Sequence, residues 1–249
     1  MVYKSISVVV PVFNEEKRIE NAIEKIVASD TCGLVKEIIV VDDGSTDNTS
    51  HNVKLQITNY KSNSKFKLQK VKILFIEKKK NEGKGAALKE AFSKSTGDIV
   101  LIQDAGLEYD PSDYPILLEP FLKNDADVVY GSRFISDRPH RVLYYWHSVI
   151  NKFLTMFSNM MTNLNLTDME TGFKVFKGGL IRSLAIKLES KRFGFEPEIT
   201  ARVAKIKEVK IYEVGISYSG RTYQEGKKIG WRDGVKAVGE IVYYNLFVR

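Results

Sequence analysis

Three acidic residues follow a short apolar run in the segment VLIQDAGLEYDP, which covers residues 100–111. They are Asp104, Glu108 and Asp110. A carboxylate at the end of a buried strand is well placed to bind a divalent cation that carries a phosphate, because Mg²⁺ keeps several waters and needs only one or two protein carboxylates. Gly106, however, stands where a second close ligand would be most useful. The segment therefore has three interpretations: a metal site, a damaged metal site, or only a turn.

Polar side chains also follow the other apolar runs of the first half. They are Phe13, Asn14 and Glu15 after the first run, Asp42 and Asp43 after the second, and residues 81–84 after the third. If these runs form parallel strands, their carboxyl ends share one edge of the sheet, where ligands bind in such folds. Four acids, namely Asp42, Asp43, Asp104 and Glu108, could then converge on one ion, and such a cluster needs a cation or a hydrogen-bond network to offset its repulsion.

Basic residues of the second half complement these acids. They are Arg133, Arg221, Lys227 and Lys228. Arginine contacts a phosphate through two N–H groups, whereas lysine acts as a point charge. One metal ion together with a few such cations suits a diphosphate leaving group.

Several common motifs are absent from the sequence. It contains no GxxxxGK[ST], no GxGxxG after the first run, no GxSxG and no HExxH. Kinase-like and Rossmann dinucleotide enzymes are therefore disfavoured. The segment NEGKGAAL (81–88) opens a predicted helix, where it either faces a phosphate or is a plain capping turn.

Alternating periodicities predict the elements that position these residues. The strands are predicted at 5–12, 37–41, 71–76, 98–103 and 126–134, and the helices at 15–28, 48–59, 84–95 and 113–123. Buried strands that alternate with helices imply an α/β fold with a doubly wound, mostly parallel central sheet and helices on both faces. We expect a single domain over residues 1–249, with halves at 1–135 and 136–249.

The second half has a different pattern. Residues 140–168 form a Met-rich and aromatic amphipathic stretch; a short strand and a helix (169–188), a helix after residue 192, a strand (210–220) and a terminal helix follow. Residues 142–161 are too polar to span a bilayer. They suit a helix that lies at a membrane surface, and equally a core helix with a Met-rich face.

The composition is that of an ordinary soluble globular protein. The 249 residues are 43% hydrophobic and 28% charged, and the net charge is +7. This charge favours an anionic partner without identifying it. The single cysteine, Cys32, excludes an internal disulfide and suits a reducing cytosol. No signal peptide and no run of roughly 20 apolar residues is recognised.

Four successive segments of the first half resemble the signatures of family 2 glycosyltransferases with the A-type fold. They are VVVPVFNEE, IIVVDDGSTDNT, NEGKGAALKEA and LIQDAGLEYDP. In the second half, VVYGSRF, NLTDMETGFKVF, RFGFEPEI and YSGRTYQEGKK resemble the enzymes that glycosylate polyprenyl phosphates, including the dolichyl-phosphate mannose synthases. The resemblance covers nearly the whole chain. It implies an inverting hexosyltransferase that moves a sugar from a GDP- or UDP-linked donor to a polyprenyl (dolichyl or undecaprenyl) phosphate. From the amphipathic stretch at residues 142–161, we expect peripheral attachment on the cytoplasmic face of a membrane.

The resemblance also assigns roles to matching positions. The nucleotide sugar would be bound by the first half, at Pro11, Phe13, Glu15, Val41, Asp42, Asp43, Lys84, Ala105 and Gly106. Asp104 and Glu108 would hold Mg²⁺ or Mn²⁺ on the donor diphosphate. The catalytic set would be Asp104, Arg133, Arg221 and Lys227, with the last two on a flexible basic loop at about 219–232. Arg133 would face either the acceptor phosphate or the diphosphate. Asp168 and Glu170 would line the acceptor side. His147 either joins them or is an ordinary helix histidine.

The chain departs from this family at Gly106. The family usually has Asp-x-Asp, whereas this chain has Asp104-Ala105-Gly106. Either Asp104 and Glu108 suffice with waters, or the metal binds weakly and the basic loop carries more of the charge, or the chain is a weak or silent relative that binds nucleotide sugar. We favour the first. A large gain in activity on Gly106→Asp would show that two ligands were not enough.

Two other classes are disfavoured by the sequence. A nucleotidylyltransferase normally has a Gly-rich basic loop directly after the first strand, where this chain has PVFNEE. Nucleic-acid binding rests on the net charge alone, because no recognised module is present.

The mechanism that the resemblance implies follows from the acceptor. A phosphate acceptor is ionised at neutral pH and needs no strong general base. The enzyme must therefore align the acceptor with the anomeric carbon and stabilise the departing diphosphate.

Overall fold

The computed structural model describes residues 2–62, 71–106, 108–135, 141–142, 144–221 and 231–248. Within these residues, seven strands form one sheet in the order β3-β2-β1-β4-β6-β5-β7. The strands are β1 (Ser5–Val12), β2 (Val35–Asp42), β3 (Lys72–Glu77), β4 (Ile99–Ile102), β5 (Val128–Ser132), β6 (Lys174–Lys177) and β7 (Ile211–Gly215). Only β6 among them is antiparallel to its neighbours. The predicted mostly parallel sheet is confirmed.

Helices cover both faces of this sheet. They are α1 (Ile19–Ala28), α2 (Thr49–Ser62), α3 (Lys84–Lys94), α4 (Tyr114–Asn124), α5 (Tyr145–Thr162), α6 (Gly178–Ala185), α7 (Phe195–Ala204) and α8 (Trp231–Leu246), with a 3₁₀ turn at Pro111–Asp113. In the part of the chain that the structure describes, no helix combines the length and the apolar character needed to cross a membrane.

Alternation along the strands divides the core into two layers. Val8 of β1 packs with Ile23 of α1 and Leu117 of α4, whereas the next residue, Val9, packs on the other face with Leu88 of α3. Successive side chains of a strand point to opposite faces, so a sheet that is covered on both sides requires continuous apolar strands. This is why the strands read as unbroken Val and Ile runs in the sequence.

The first helix begins later than the sequence predicts. Residues 15–18 form a turn in which the Glu15 carbonyl accepts hydrogen bonds from the backbone N–H groups of Arg18 and Ile19, each at 2.9 Å. Helix α1 therefore starts at Ile19. The Glu15 side chain stays at the carboxyl end of β1, beside the other strand ends.

The reversed direction of β6 is the feature that the sequence did not predict. Because β6 lies between β4 and β5 and runs antiparallel to both, its first residue lies at the edge where the parallel strands end. The segment 168–174 is thereby brought from the second half of the chain to the edge that carries Asp104.

Candidate active site at the carboxyl edge of the sheet

Lys84 connects the end of β4 to the start of α7. Its Nζ atom lies 2.9 Å from Asp104 Oδ1 and 2.9 Å from Glu196 Oε1. Burial alone would lower the pKa of Lys84, but the two carboxylates outweigh it and raise the pKa. Lys84 therefore remains a cation, held between a strand-end acid and a helix N-terminal acid.

Arg221 joins two other acids of the same edge. Its Nη1 atom lies 3.0 Å from Glu15 Oε1, and its Nε donates to Glu108 Oε1. The Ser219 backbone N–H also donates to the Glu108 carbonyl, at 2.9 Å. The segment that leads to Arg221 is thus fixed to the end of β1 and to the loop after β4.

Gly106 leaves room for the Glu108 carboxylate. A Cβ atom at position 106 would lie 1.7 Å from Glu108 Oε2 and 2.8 Å from Arg221 Nη2. Glu108 Oε2 is buried and has no hydrogen-bond partner. The carboxylate of Glu108 therefore fills the space in which a side chain at position 106 would begin.

The acids after β2 have separate tasks. Asp42 is fully buried and accepts a hydrogen bond from the Ser45 backbone at 2.9 Å, so it holds the turn. Asp43 accepts from the backbone N–H groups of Glu82 and Gly83 and from Lys78 Nζ, the last at 2.7 Å. Asp43 thereby fixes the loop in front of α3.

No group of three acidic, histidine or cysteine side chains in the described part of the chain is arranged to hold a metal ion. The convergence of four carboxylates, which the sequence left open, is therefore wrong for these residues. Asp104 and Glu108 remain as the two carboxylates with the required chemistry, and each is paired with a cation, Lys84 or Arg221.

A second charged centre lies on the far side of β4, after β5. Arg133 donates from Nε and Nη2 to the two oxygens of Asp168, at 2.6 and 2.7 Å. Asp168 is fully buried and also accepts from Asn151 Nδ2 at 3.2 Å. Burial opposes the charge of Arg133, but Asp168 outweighs it and raises the pKa of Arg133. The two hydrogen bonds to Asp168 therefore fix the orientation of the Arg133 guanidinium, which stays charged.

Lys174 and Glu170 lie between the two centres. Lys174 is almost completely buried, donates to the Thr171 carbonyl and lies 5.2 Å from the centre of the Tyr130 ring. Burial lowers the pKa of Lys174, and burial, followed by the charge of Glu196, raises the pKa of Glu170. These groups were brought to the edge by the reversed β6.

The remaining candidates for nucleotide binding occupy different environments. Pro11 is half-buried and pairs with Val41 across β1 and β2, and Phe13 is half-buried just beyond β1. Val41 and Ala105 are buried, and their side chains pack in the two core layers. Because the side chains of these two residues lie in the core, only their backbone atoms could contact a nucleotide.

Two candidates remain, His147 and Lys227, and the structure describes only the first of them. His147 lies in the first turn of α5, with its ring 5.7 Å from that of Tyr144. It precedes Asn151 by four residues, so the two share a helix face. Lys227, with most of the predicted basic loop, falls outside the described residues.

Sequence analysis did not single out Lys174 or Glu196, although Glu196 lies in the segment RFGFEPEI. Lys174 is the first residue of β6 and lies between Phe173 and Val175, where a buried charged side chain needs a partner. Glu196 is 6% exposed in the first turn of α7. A lysine between two apolar residues and an acid near a helix start were the available signals, but neither identifies its partner.

Comparisons with protein families and curated proteins identify the family of this chain. The model of the family described as "Glycosyl transferase family 2" matches residues 7–184, which is more than half of the chain. A dolichyl-phosphate beta-glucosyltransferase of Trichomonas vaginalis is 26% identical over 258 residues, covering 98% of this chain and 74% of that protein. A dolichol-phosphate mannosyltransferase of Pyrococcus furiosus is 26% identical over 226 residues, and the match spans 90% of this chain and 60% of that protein.

A solved structure supports the fold. Glucosyl-3-phosphoglycerate synthase of Mycobacterium tuberculosis, in complex with Mn²⁺, UDP and glucosyl-3-phosphoglycerate, superimposes with a TM-score of 0.67. The sequence identity is 20%, and the match covers 97% of this chain and 80% of that one. At this identity the likeness concerns the fold alone. The predicted enzyme class, a hexosyltransferase, is confirmed, and the chain belongs to glycosyl transferase family 2.

Proposed function

We propose that this chain transfers a hexose, with inversion, from a GDP- or UDP-linked donor to a polyprenyl phosphate at a membrane surface. The observation that carries this proposal is the presence of two separate cationic centres on one edge. Lys84 and Arg221 accompany the acids at the ends of β1 and β4, and Arg133 is fixed by Asp168 after β5. Two centres suit two phosphate-bearing substrates.

The first centre would receive the donor. Arg221 and Lys84 would neutralise the diphosphate, and Asp43 would hold the loop that adjoins the nucleotide. Preorganised charges lower the barrier because they need not reorganise as the leaving group departs. This centre lies at the carboxyl ends of β1, β2 and β4, where ligands bind in open α/β sheets.

A divalent cation fits the two carboxylates of this centre. The Asp104 side chain is 28% exposed, and Glu108 carries a buried oxygen with no hydrogen-bond partner. Mg²⁺ or Mn²⁺ would be held by Asp104 and Glu108, with waters and donor oxygens as the other ligands. When bound, such an ion stabilises the negative charge on the departing diphosphate.

The second centre would receive the acceptor. Arginine has five N–H donors, of which Asp168 takes two, so the guanidinium retains donors for a phosphate. The acceptor phosphate is ionised at neutral pH and needs only alignment with the anomeric carbon. Asp168 would act by orienting Arg133, and His147 and Asn151 would lie along the same wall.

The surface of α5 supports a lipid acceptor. Trp146, Ile150, Phe153 and Met160 follow one another at helical spacing and are 72%, 38%, 50% and 73% exposed. The exposed Lys152 adjoins this row. An apolar helix face with a basic flank is typical of helices that lie in the interface of a bilayer. We propose peripheral attachment through α5, on the cytoplasmic side.

The phosphate at the second centre is tested by Arg133→Lys. Lysine keeps the charge but loses the two-pronged contacts, so the KM for polyprenyl phosphate is expected to rise about tenfold, which corresponds to about 1.4 kcal/mol. The KM for the donor should change little. Initial rates with either substrate varied measure both constants.

The matched control for that change is Arg182→Lys. Arg182 donates to the Gly97 carbonyl at 3.0 Å, near the amino end of β4 and away from both centres. An equal change of both KM values in the Arg133 variant, or the same change in the control, would contradict the assignment of Arg133 to the acceptor.

A silent nucleotide-sugar binder is the second candidate, suggested by Gly106. The position of Glu108 in the space at Gly106 argues against it, because the second carboxylate is retained by another residue. The two candidates differ in product formation, since a silent relative would bind a donor without transfer.

A further inference from the structure

Unpaired buried polar atoms are concentrated at the carboxyl edge. Among the residues that the structure describes, five side chains bury an oxygen without a hydrogen-bond partner: Tyr3, Glu108, Asn151, Glu170 and Thr171. Tyr3 lies before β1, at the opposite edge, and the other four lie at the edge that carries Asp104 and Asp168. Buried polar atoms in native proteins are almost always paired. Their concentration here marks a place where a ligand supplies the missing partners.

Three of these atoms belong to one neighbourhood. Asn151 contacts Asp168 through its Nδ2 atom and leaves its Oδ1 atom unpaired. Glu170 and Thr171, whose Oε1 and Oγ1 atoms are unpaired, lie two and three residues after Asp168 in the chain, and Thr171 is fully buried. All three unpaired atoms are oxygens, and two of them, in Asn151 and Glu170, belong to groups that accept hydrogen bonds. The missing partner must therefore offer several hydrogen-bond donors.

Glu170 is positioned between the donor centre and the acceptor centre. A Cβ atom at Gly172 would lie 2.4 Å from Asp104 Oδ2, so the backbone after Glu170 passes closely over the donor centre. On its other side, Asp168 holds Arg133. Burial, followed by the charge of Glu196, raises the pKa of Glu170, whereas the charges of Lys174 and Arg133 lower it.

The chemistry of Glu170 suits hydroxyl groups. Burial and the charge of Glu196 raise its pKa, so the carboxyl is protonated more often than an exposed glutamate. A carboxyl that is sometimes protonated both donates and accepts hydrogen bonds. A sugar hydroxyl does the same, whereas a phosphate would be repelled by the acid.

We propose that Glu170 hydrogen-bonds the hydroxyls of the transferred hexose and sets the preference of the enzyme between hexose epimers. This inference rests on the proposed function, because the sugar must pass between the two centres. Asn151 and Thr171 complete the same wall. A site built to bond a hydroxyl discriminates strongly against an analogue that lacks or displaces it, because its buried polar groups are then unpaired.

The test compares nucleotides with nucleotide sugars by isothermal titration calorimetry, in the wild type and in Glu170→Ala and Glu170→Gln. UDP, UDP-glucose and UDP-galactose form one set, and GDP, GDP-mannose and GDP-glucose the other. In the wild type, one sugar nucleotide should bind more tightly than its epimer. In Glu170→Ala, that ratio should fall at least about tenfold, while the affinity for the free nucleotide changes less than about twofold.

Glu170→Gln distinguishes a loss of sugar recognition from a folding defect. The glutamine side chain has nearly the same shape as glutamate and keeps one acceptor oxygen. It should fold as the wild type does and show a smaller loss of epimer preference. Asp125→Asn is the matched control: it removes an acid that pairs with Lys177 and Lys210 on the opposite side of the sheet. It should leave every affinity unchanged.

The outcomes separate the two proposals. If the wild type binds no sugar nucleotide, the proposed function fails. If it binds one and both Glu170 variants keep the wild-type epimer ratio, only the role of Glu170 fails. If Glu170→Gln loses free nucleotide and sugar nucleotide equally, the residue has a general structural role and the inference is overturned.

Discussion

At the scale of single residues, the main finding is that Gly106 and Glu108 share one space. The sequence lacks the second carboxylate at Gly106, and we expect Asp104 and Glu108 to suffice without it. In the structure, Glu108 Oε2 occupies the place of a side chain at position 106. Gly106 therefore leaves the space that the Glu108 carboxylate occupies, and we propose that Glu108 supplies the carboxylate that the absent second Asp would have provided.

We expect Gly106→Ala to lower the affinity for Mn²⁺ about tenfold, or about 1.4 kcal/mol. The added methyl group would displace Glu108 from its contact with Arg221. Gly106→Asp should likewise give no gain in activity. Electron paramagnetic resonance of free Mn²⁺ during a titration measures the affinity directly, without reference to turnover.

Gly179→Ala is the matched control for this substitution. A Cβ atom at Gly179 would have nothing within 4 Å, so the same chemical change should leave Mn²⁺ binding as it is. Tighter Mn²⁺ binding in Gly106→Ala, or a large rise in activity in Gly106→Asp, would mean that Glu108 does not replace the absent ligand.

Sequence analysis predicted residues but not their pairs. Asp104, Glu108, Arg133 and Asp168 were all named from strand ends and motifs, yet the ion pairs Lys84–Asp104 and Arg133–Asp168 depend on distances between elements that are far apart in the chain. The partner of Lys84 on α7, Glu196, is 112 residues away. Local patterns carry no information about such a separation.

At the scale of elements, helix α5 is the feature on which the proposed membrane attachment rests. Its buried side consists of Leu154, Thr155 and Ser158, and its apolar residues are largely on the exposed side. A helix of a soluble core would bury the row instead. The sequence left both interpretations open, and the exposure of Trp146 and Phe153 favours the membrane surface.

We expect the double variant Trp146→Ser and Phe153→Ser to bind anionic liposomes at least about tenfold more weakly than the wild type. Burying an aromatic side chain contributes about 1.5–3 kcal/mol, and both rings are at least half-exposed. Co-sedimentation with vesicles of phosphatidylglycerol and phosphatidylcholine measures the partition, and the folded state is checked by the thermal melting curve.

Ile186→Ser provides the control, since Ile186 is 81% exposed beyond the end of α6 and lies outside the row on α5. If both proteins, or neither, lost binding to the vesicles, α5 would not be the attachment surface.

At the scale of the whole molecule, the sheet explains why two distant halves make one site. The β1–β4 part was predictable, because Val and Ile runs alternate with amphipathic helices and each run ends in polar residues. The insertion of β6 between β4 and β5 was not predictable, because a strand of four residues has the same pattern in either direction. That reversal brings Asp168, Glu170 and Lys174 to the edge that carries Asp104, as the proposed two-substrate site requires.

The most direct test of this account is a transfer assay with two acceptors that differ only in the phosphate. The purified protein is incubated with radiolabelled UDP- and GDP-hexoses, Mn²⁺ or Mg²⁺, and either a polyprenyl phosphate or the corresponding polyprenol in detergent. The label that enters the organic phase is then counted. The account predicts lipid-linked sugar with the phosphate and none with the alcohol. Equal labelling of both acceptors, or transfer to 3-phosphoglycerate with none to the lipid phosphate, would contradict it.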